Sequence, residues 1–196
     1  MQNNLAKIFF KYRSYTPIPF LLVMLVFAAP TAVTFPIGLA MVALGEFFRL
    51  WGVSWAGSET RTTGKVGGTF LIVSGPFAYV RNPLYVGNIL MYCGIGVASN
   101  ALFPYLLIAA FVFFATQYHL IVGEEEGFLR NHYKDEYPEF EKNVPRFIPR
   151  LTPYKYASVE QPTMSVKLGF RSETRTLQAT AFVLLALAVR WYFGSK

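Results

Sequence analysis

Apolar residues fall into five blocks along the chain, and the charges collect between them. No charged residue occurs from Ile18 to Phe35, and only Glu46 and Arg49 occur from Pro36 to Val53. A helix needs about 20 apolar residues to cross the hydrocarbon core of a bilayer. These two blocks therefore predict two membrane helices in a tight hairpin, with Pro30 and Pro36 bracketing the turn. A third span is expected from Leu84 to Ala98 and a fourth from Leu102 to Val122, joined through Ser99-Asn100. A fifth, Leu177 to Phe193, follows a long polar stretch. No barrel-like alternation is visible, and backbone groups in lipid then require helices. Leu129, Tyr133, Tyr137 and Phe140 recur at three and four, which predicts a short amphipathic helix on the membrane surface. The expected fold is an all-α integral membrane protein, residues 1–196 forming one domain with about five transmembrane helices and a short interfacial helix.

Composition supports this. Of the 196 residues, 54% are hydrophobic and 15% charged, against about 25% charged in an average soluble protein. Cys93 is the single cysteine and cannot form an internal disulfide. Two histidines, His119 and His132, are too few for a histidine-based metal site, and no metal is expected.

The net charge of +7 raises nucleic acid as a partner. The basic residues alternate with apolar spans, however, which suits a membrane surface better. Basic residues gather in the N-terminal arm and in segments 54–83 and 123–175, whereas the turns at 30–36 and 99–101 carry none. The positive-inside rule places the N-terminus and both long loops in the cytoplasm.

Three places can carry chemistry. Glu46 and Arg49 share a helix face inside the second span, either as a plain intrahelical pair or as the floor of a polar site. In segment 74–88, Pro83 starts the third span. Arg81 stands beside that helix start, where an anion can bind. Tyr79 and Tyr85 offer aromatic faces to a cation such as a sulfonium, and Gly87 leaves room for another helix or a ligand. The third place is Glu124-Glu125-Glu126, three carboxylates poorly placed against a helix C-terminus. Their cost suggests a use, such as holding the amino or ribose groups of a ligand. Neither a dinucleotide-binding nor a P-loop glycine pattern occurs; Gly64, Gly67 and Gly68 have the wrong spacing and read as loop. Segment 152–176 has no evident role.

Taken together, G-P-F-A-Y-V-R-N-P-L-Y-V-G (75–87) and the run from Glu125 to Val144-Pro-Arg-Phe-Ile-Pro149 form a pattern. It resembles the isoprenylcysteine carboxyl methyltransferase and phospholipid methyltransferase family. The similarity covers roughly residues 39–150, with segment 151–175 as a cytoplasmic loop and 177–193 as a C-terminal helix outside it. The resemblance implies an S-adenosylmethionine-dependent methyltransferase whose cofactor pocket is built without a Rossmann fold. It implies that Tyr79, Arg81, Asn82, Pro83, Tyr85 and Gly87 line the cofactor, with Glu125 and Glu126 opposite. Asn82 stands where the family often has His; an amide cannot act as a base near neutral pH, and the change leaves cofactor binding intact.

Methyl transfer from a sulfonium needs alignment and desolvation more than a covalent residue. Arg49, Arg81 and Arg146 are candidates to orient an anionic acceptor or the cofactor carboxylate, and Arg81, Glu125 and Arg49 are the expected catalytic set. The expected acceptor is a lipophilic or lipid substrate of the membrane, best matched by an isoprenylcysteine-like carboxylate. A phospholipid amine is the alternative. An NADPH-dependent reductase of related helical core is a competing class.

Overall fold

In a computed structural model, residues 4–57, 71–155 and 161–194 are described. They form seven α-helices: α1 (Asn4–Tyr12), α2 (Pro17–Val26), α3 (Thr34–Ala56), α4 (Pro83–Ser99), α5 (Tyr105–His132), α6 (Glu136–Asn143) and α7 (Val166–Gly194). A 3-10 turn occupies Gly75–Ala78, and the described residues contain no strand. The expected loop glycines Gly64, Gly67 and Gly68 lie outside the described residues.

Three helices, α3, α5 and α7, are long and apolar enough to cross a membrane by length and composition. The helices α2 and α4 are apolar but shorter, so the expected count of about five is not confirmed. The first block contains only 10 helical residues, because the chain leaves the helix after Val26 and turns through 27–33. The α4 helix has 17 residues and stops where Asn100 takes a left-handed conformation, φ 51°.

The two uncharged turns lie side by side. The Ala29 amide donates to the Ser99 carbonyl (2.8 Å), and Asn100 Nδ2 donates to the Ala29 carbonyl (3.1 Å).

The closest helix pair is α3 with α4, and glycines explain it. Gly38, Gly45 and Gly52 repeat every seven residues on α3, and Gly87 and Gly94 do the same on α4. A Cβ on Gly45 would meet the Gly87 carbonyl at 2.6 Å, and one on Gly94 would meet the Gly38 carbonyl at 2.8 Å. In lipid, helices attract through close backbone approach, which small residues permit. Gly87 therefore makes room for another helix.

At about 1.5 Å per residue, α5 and α7 are each longer than the roughly 30 Å hydrocarbon core. The α7 helix begins at Val166, eleven residues before the expected start, and takes up positions 166–175 of the expected 151–175 loop. Its polar first turns are stabilised against α3. The Ser165 amide donates to the Ser54 carbonyl (2.8 Å), and Glu173 finds a buried partner described below.

The expected surface helix is split. Leu129 lies on α5, the helix breaks at 133–135, and Tyr137 and Phe140 lie on α6. Their apolar face is not turned to lipid: Tyr137, Phe140 and Val144 are buried against Leu71 and Val73 in a second small core. Gln161 fastens that core. It accepts the Val73 and Ser74 amides (2.9 and 3.1 Å) and donates to the Leu71 carbonyl (2.9 Å).

Candidate active site at the shared end of α4 and α5

The two sequence motifs meet through backbone bonds between positions more than 60 residues apart. The Arg81 amide donates to the Pro145 carbonyl (2.9 Å), the Arg150 amide to Tyr79 (2.9 Å) and the Tyr154 amide to Ala78 (2.8 Å). Asn82 Nδ2 donates to the Arg146 carbonyl (3.2 Å). Asn82 sits at the N-cap of α4 without a capping bond from its side chain, and Pro83 opens the helix at a position needing no N–H.

Arg81 is a clamp. Its Nε donates to Glu126 Oε1 (3.0 Å), and Nη1 donates to the carbonyls of Glu141 and Val144 (both 2.7 Å). Nη2 lies 2.9 Å from Glu126 Oε1, and the side chain is only 8% exposed. Every nitrogen of the guanidinium thus faces a protein oxygen. The carbonyls it caps belong to the C-terminal end of α6, which the helix itself leaves unsatisfied.

Glu126 lies between Arg81 and Arg146, whose Nη2 donates to Oε2, with Arg130 at 3.7 Å. Arg130 also forms two hydrogen bonds to Glu141 (2.7 and 2.6 Å). These bonds hold the Glu141 carboxyl below its ordinary value. Burial pushes the Tyr137 hydroxyl up, away from ionisation.

Glu125 faces another direction. Its Oε1 accepts the Tyr85 hydroxyl (2.9 Å), and Arg13 of the N-terminal arm lies within Coulombic range. The residue as a whole is half-buried, and the second oxygen of its carboxylate is a further acceptor. The Tyr85 ring lies against Tyr118, 4.6 Å between centroids.

Deeper in the bundle, Arg49 does not pair with Glu46. Its Nη2 donates to both oxygens of Glu173 on α7 (2.9 and 2.7 Å), and Nη1 donates to Asn88 Oδ1 on α4. The Tyr118 hydroxyl of α5 lies beside Asn88 and Tyr92. A polar chain thus crosses from α7 through α3 and α4 to α5. Gly87 lets Arg49 through, since a Cβ there would meet Arg49 Cγ at 2.6 Å. Glu46 is buried, and neither of its oxygens has a hydrogen-bond partner among the described residues.

Tyr79, Arg81, Asn82, Pro83 and Tyr85 are therefore brought to Glu125 and Glu126 at one end of the bundle. Arg49 joins them through Asn88. Glu173, Asn88 and Tyr118 were not singled out from the sequence. The one available signal was Glu173 itself, a lone acid among Lys167, Arg171 and Arg175.

Comparison with known proteins places this arrangement. The chain is 30% identical over 119 residues to the cobalt-zinc-cadmium resistance protein CzcN of Cupriavidus metallidurans, covering 61% of this chain and 50% of that protein. It is 24% identical over 128 residues to the nickel-cobalt-cadmium resistance protein NccN of Alcaligenes xylosoxydans xylosoxydans, covering 65% and 55%. The chain thus spans about half the length of the curated relatives it matches. No solved structure matches it. The family model described as phospholipid methyltransferase matches residues 33–136, which contain α3, α4, α5 and the R-N-P-L-Y helix start; by this match, over more than half its length, the chain belongs to the phospholipid methyltransferase family.

Proposed function

We propose that this protein is a membrane-embedded, S-adenosylmethionine-dependent methyltransferase acting on a lipophilic acceptor. The observation that carries the reading is the meeting of Tyr85 and Glu125 beside the α4 start, where the second carboxylate oxygen is a further acceptor. S-adenosylmethionine supplies an electrophilic methyl, whose bonding pair stays with sulfur as the acceptor's lone pair bonds the carbon.

The residues present fit this cofactor with one redistribution of roles. Glu125 suits its amino or ribose hydroxyl groups, because a carboxylate only accepts hydrogen bonds. Arg81 is fully taken up by Glu126, Glu141 and Val144, so it positions the site. Arg146 is 28% exposed and keeps donors besides the one given to Glu126, so it suits the cofactor carboxylate. The aromatic faces of Tyr79 and Tyr85 suit a sulfonium.

The relatives' names speak of metal resistance and name no acceptor. The acceptor is therefore argued from chemistry. A carboxylate of the isoprenylcysteine kind needs no base, only a cation and alignment. A phospholipid amine is the second reading, favoured by the carboxylate of Glu125, which can take the proton such an acceptor must lose. In this proposal the loops joining α3 to α4 and α5 to α7 face the cytoplasm, where a soluble cofactor arrives, and the acceptor enters from the bilayer.

Calorimetric titration of the detergent-purified protein with S-adenosylhomocysteine, with NADPH as control, tests this. Saturable binding of the homocysteine compound, lost in Glu125→Ala, is expected. NADPH binding alone moves the protein to the reductase class. Binding of neither to a protein that retains its helical circular dichroism overturns the proposal.

A further inference from the structure

A groove of about 420 Å³ lies on the outside of the bundle between α2 and α7. Leu25 of α2 and Phe182, Ala186, Val189, Arg190 and Phe193 of α7 line it. Neither helix belongs to the family-matched residues 33–136. From Phe182 to Phe193 the α7 helix rises about 16 Å. That is about half the thickness of the hydrocarbon core, the depth that the acyl chains of one leaflet fill. Arg190 stands near the Phe193 end of the groove. Trp191 and Tyr192 follow it, and such aromatic residues gather where hydrocarbon gives way to headgroups.

Arg190 is exposed, yet it is tied to the groove: its Nε donates to the Ala28 carbonyl just past α2 (3.3 Å). Among the described residues this is the one hydrogen bond of the guanidinium, so both terminal nitrogens are left to a ligand. A neutral carbonyl does not compensate the charge. No Asp or Glu occurs in segments 18–45, 84–123 or 174–194, the stretches that reach this end of the bundle. An uncompensated arginine beside hydrocarbon is costly, and its planar fork matches two phosphate oxygens. A net anionic head would cancel the charge. A zwitterionic head would bring a cation for which this end holds no carboxylate.

We infer that the α2–α7 groove holds one anionic phospholipid as a resident ligand. Its phosphodiester accepts from the two terminal nitrogens of Arg190, and an acyl chain lies along Ala186 and Phe182 against Leu25. This lipid is not the methyl acceptor. Ser165 meets Ser54 and Trp191 meets Phe35, so α7 runs antiparallel to α3. The Gly52 end of α3 packs on Leu84 at the α4 start, which leaves Arg190 at the opposite end of the bundle from the candidate site. Arg190 is seventeen residues beyond Glu173, about 25 Å along the helix. The lipid fastens the end of α7 to α2, as the Arg49–Glu173 pair fastens its beginning to α3. The inference is independent of the methyltransferase reading.

Native mass spectrometry of the full chain, delipidated in detergent, tests this with three probes of equal acyl chains: phosphatidylglycerol, phosphatidylcholine and diacylglycerol. The expected result is one phosphatidylglycerol retained per chain. Its half-saturation lies at least tenfold below that of diacylglycerol and at least fivefold below that of phosphatidylcholine, and its binding raises the thermal midpoint. Arg190→Gln raises the phosphatidylglycerol half-saturation at least fivefold and leaves that of diacylglycerol in place. Arg171→Gln removes the same charge from an exposed position at the other end of α7 and changes neither. Ala186→Phe fills the groove and also raises the phosphatidylglycerol half-saturation. Variants are compared once their helical circular dichroism matches that of the parent chain. Equal half-saturation for phosphatidylglycerol and either other probe overturns the inference, as does indifference to Arg190→Gln or to Ala186→Phe. Equal responses to Arg190→Gln and Arg171→Gln overturn it by assigning the binding to net charge. A dimer that is lost in Ala186→Phe, in place of bound lipid, overturns it by giving the groove to a second copy of the chain.

Discussion

Arg49 of α3 and Glu173 of α7 form a buried ion pair across the bundle, with a single guanidinium nitrogen donating to both carboxylate oxygens at 2.9 and 2.7 Å. Glu173 is fully buried and lies outside the family-matched residues. The C-terminal helix is thereby tied to the core that carries the site. Removing one partner of a buried pair leaves an uncompensated charge, at a cost of about 3–5 kcal/mol. Arg49→Met is expected to lower the thermal midpoint in detergent sharply, and the double variant Arg49→Met/Glu173→Leu to recover much of the loss. Strictly additive losses in this double-mutant cycle would show that the pair carries no coupling.

Arg81 is expected to act as a positioning residue. Arg81→Ala and Arg81→Lys should both abolish S-adenosylhomocysteine binding, because a lysine cannot reach the Glu126 carboxylate and two α6-end carbonyls at once. Both should also raise hydrogen exchange at α6 and at 144–150. A direct cofactor contact without this role predicts lost binding with unchanged exchange, so exchange at α6 decides between the two.

Gly87→Ala places a Cβ 2.6 Å from Arg49 Cγ and 2.7 Å from the Gly45 carbonyl. Overpacking of this kind costs about 1–3 kcal/mol, and here it also disturbs the Arg49 bonds. Gly123→Ala and Gly127→Ala on α5 meet nothing within 4 Å and serve as controls. They should be neutral, or stabilising by up to about 1 kcal/mol from helix propensity. Equal thermal midpoints for all three variants would contradict the glycine seam.

The Arg130–Glu141 pair makes α6 acid-sensitive. The Glu141 carboxyl is held below its ordinary value by the Arg130 hydrogen bonds. Its contribution is therefore fully present above the ordinary carboxylate value of about 4.3 and is lost as pH falls through the depressed native value. Amide protection of 136–143 should decline over that acid range. In Glu141→Gln protection should start lower, and this part of the pH dependence should vanish; an unchanged profile in the variant would assign the acid sensitivity to another group.

The sequence by itself determined the helical, membrane-embedded class, because uncharged stretches of this length have no other way to satisfy their backbone groups in lipid. It also determined the family, since Gly75–Gly87 and Glu125–Pro149 are local patterns readable without a fold. It indicated which residues gather at the site, but not what each one does there. Glu46 and Arg49 are adjacent on one helix, yet Arg49 turns to Glu173, more than 120 positions away. Arg81 has the charge to bind an anion, yet its donors are taken by Glu126 and two carbonyls. Leu129 to Phe140 keep helical spacing, yet the helix breaks among them and their apolar face meets Leu71 and Val73. Only the tertiary structure decided these outcomes. A polar side chain inside a membrane goes to the best partner that packing brings near, and the α3–α4 glycine seam and the placement of α7 set which partners are near.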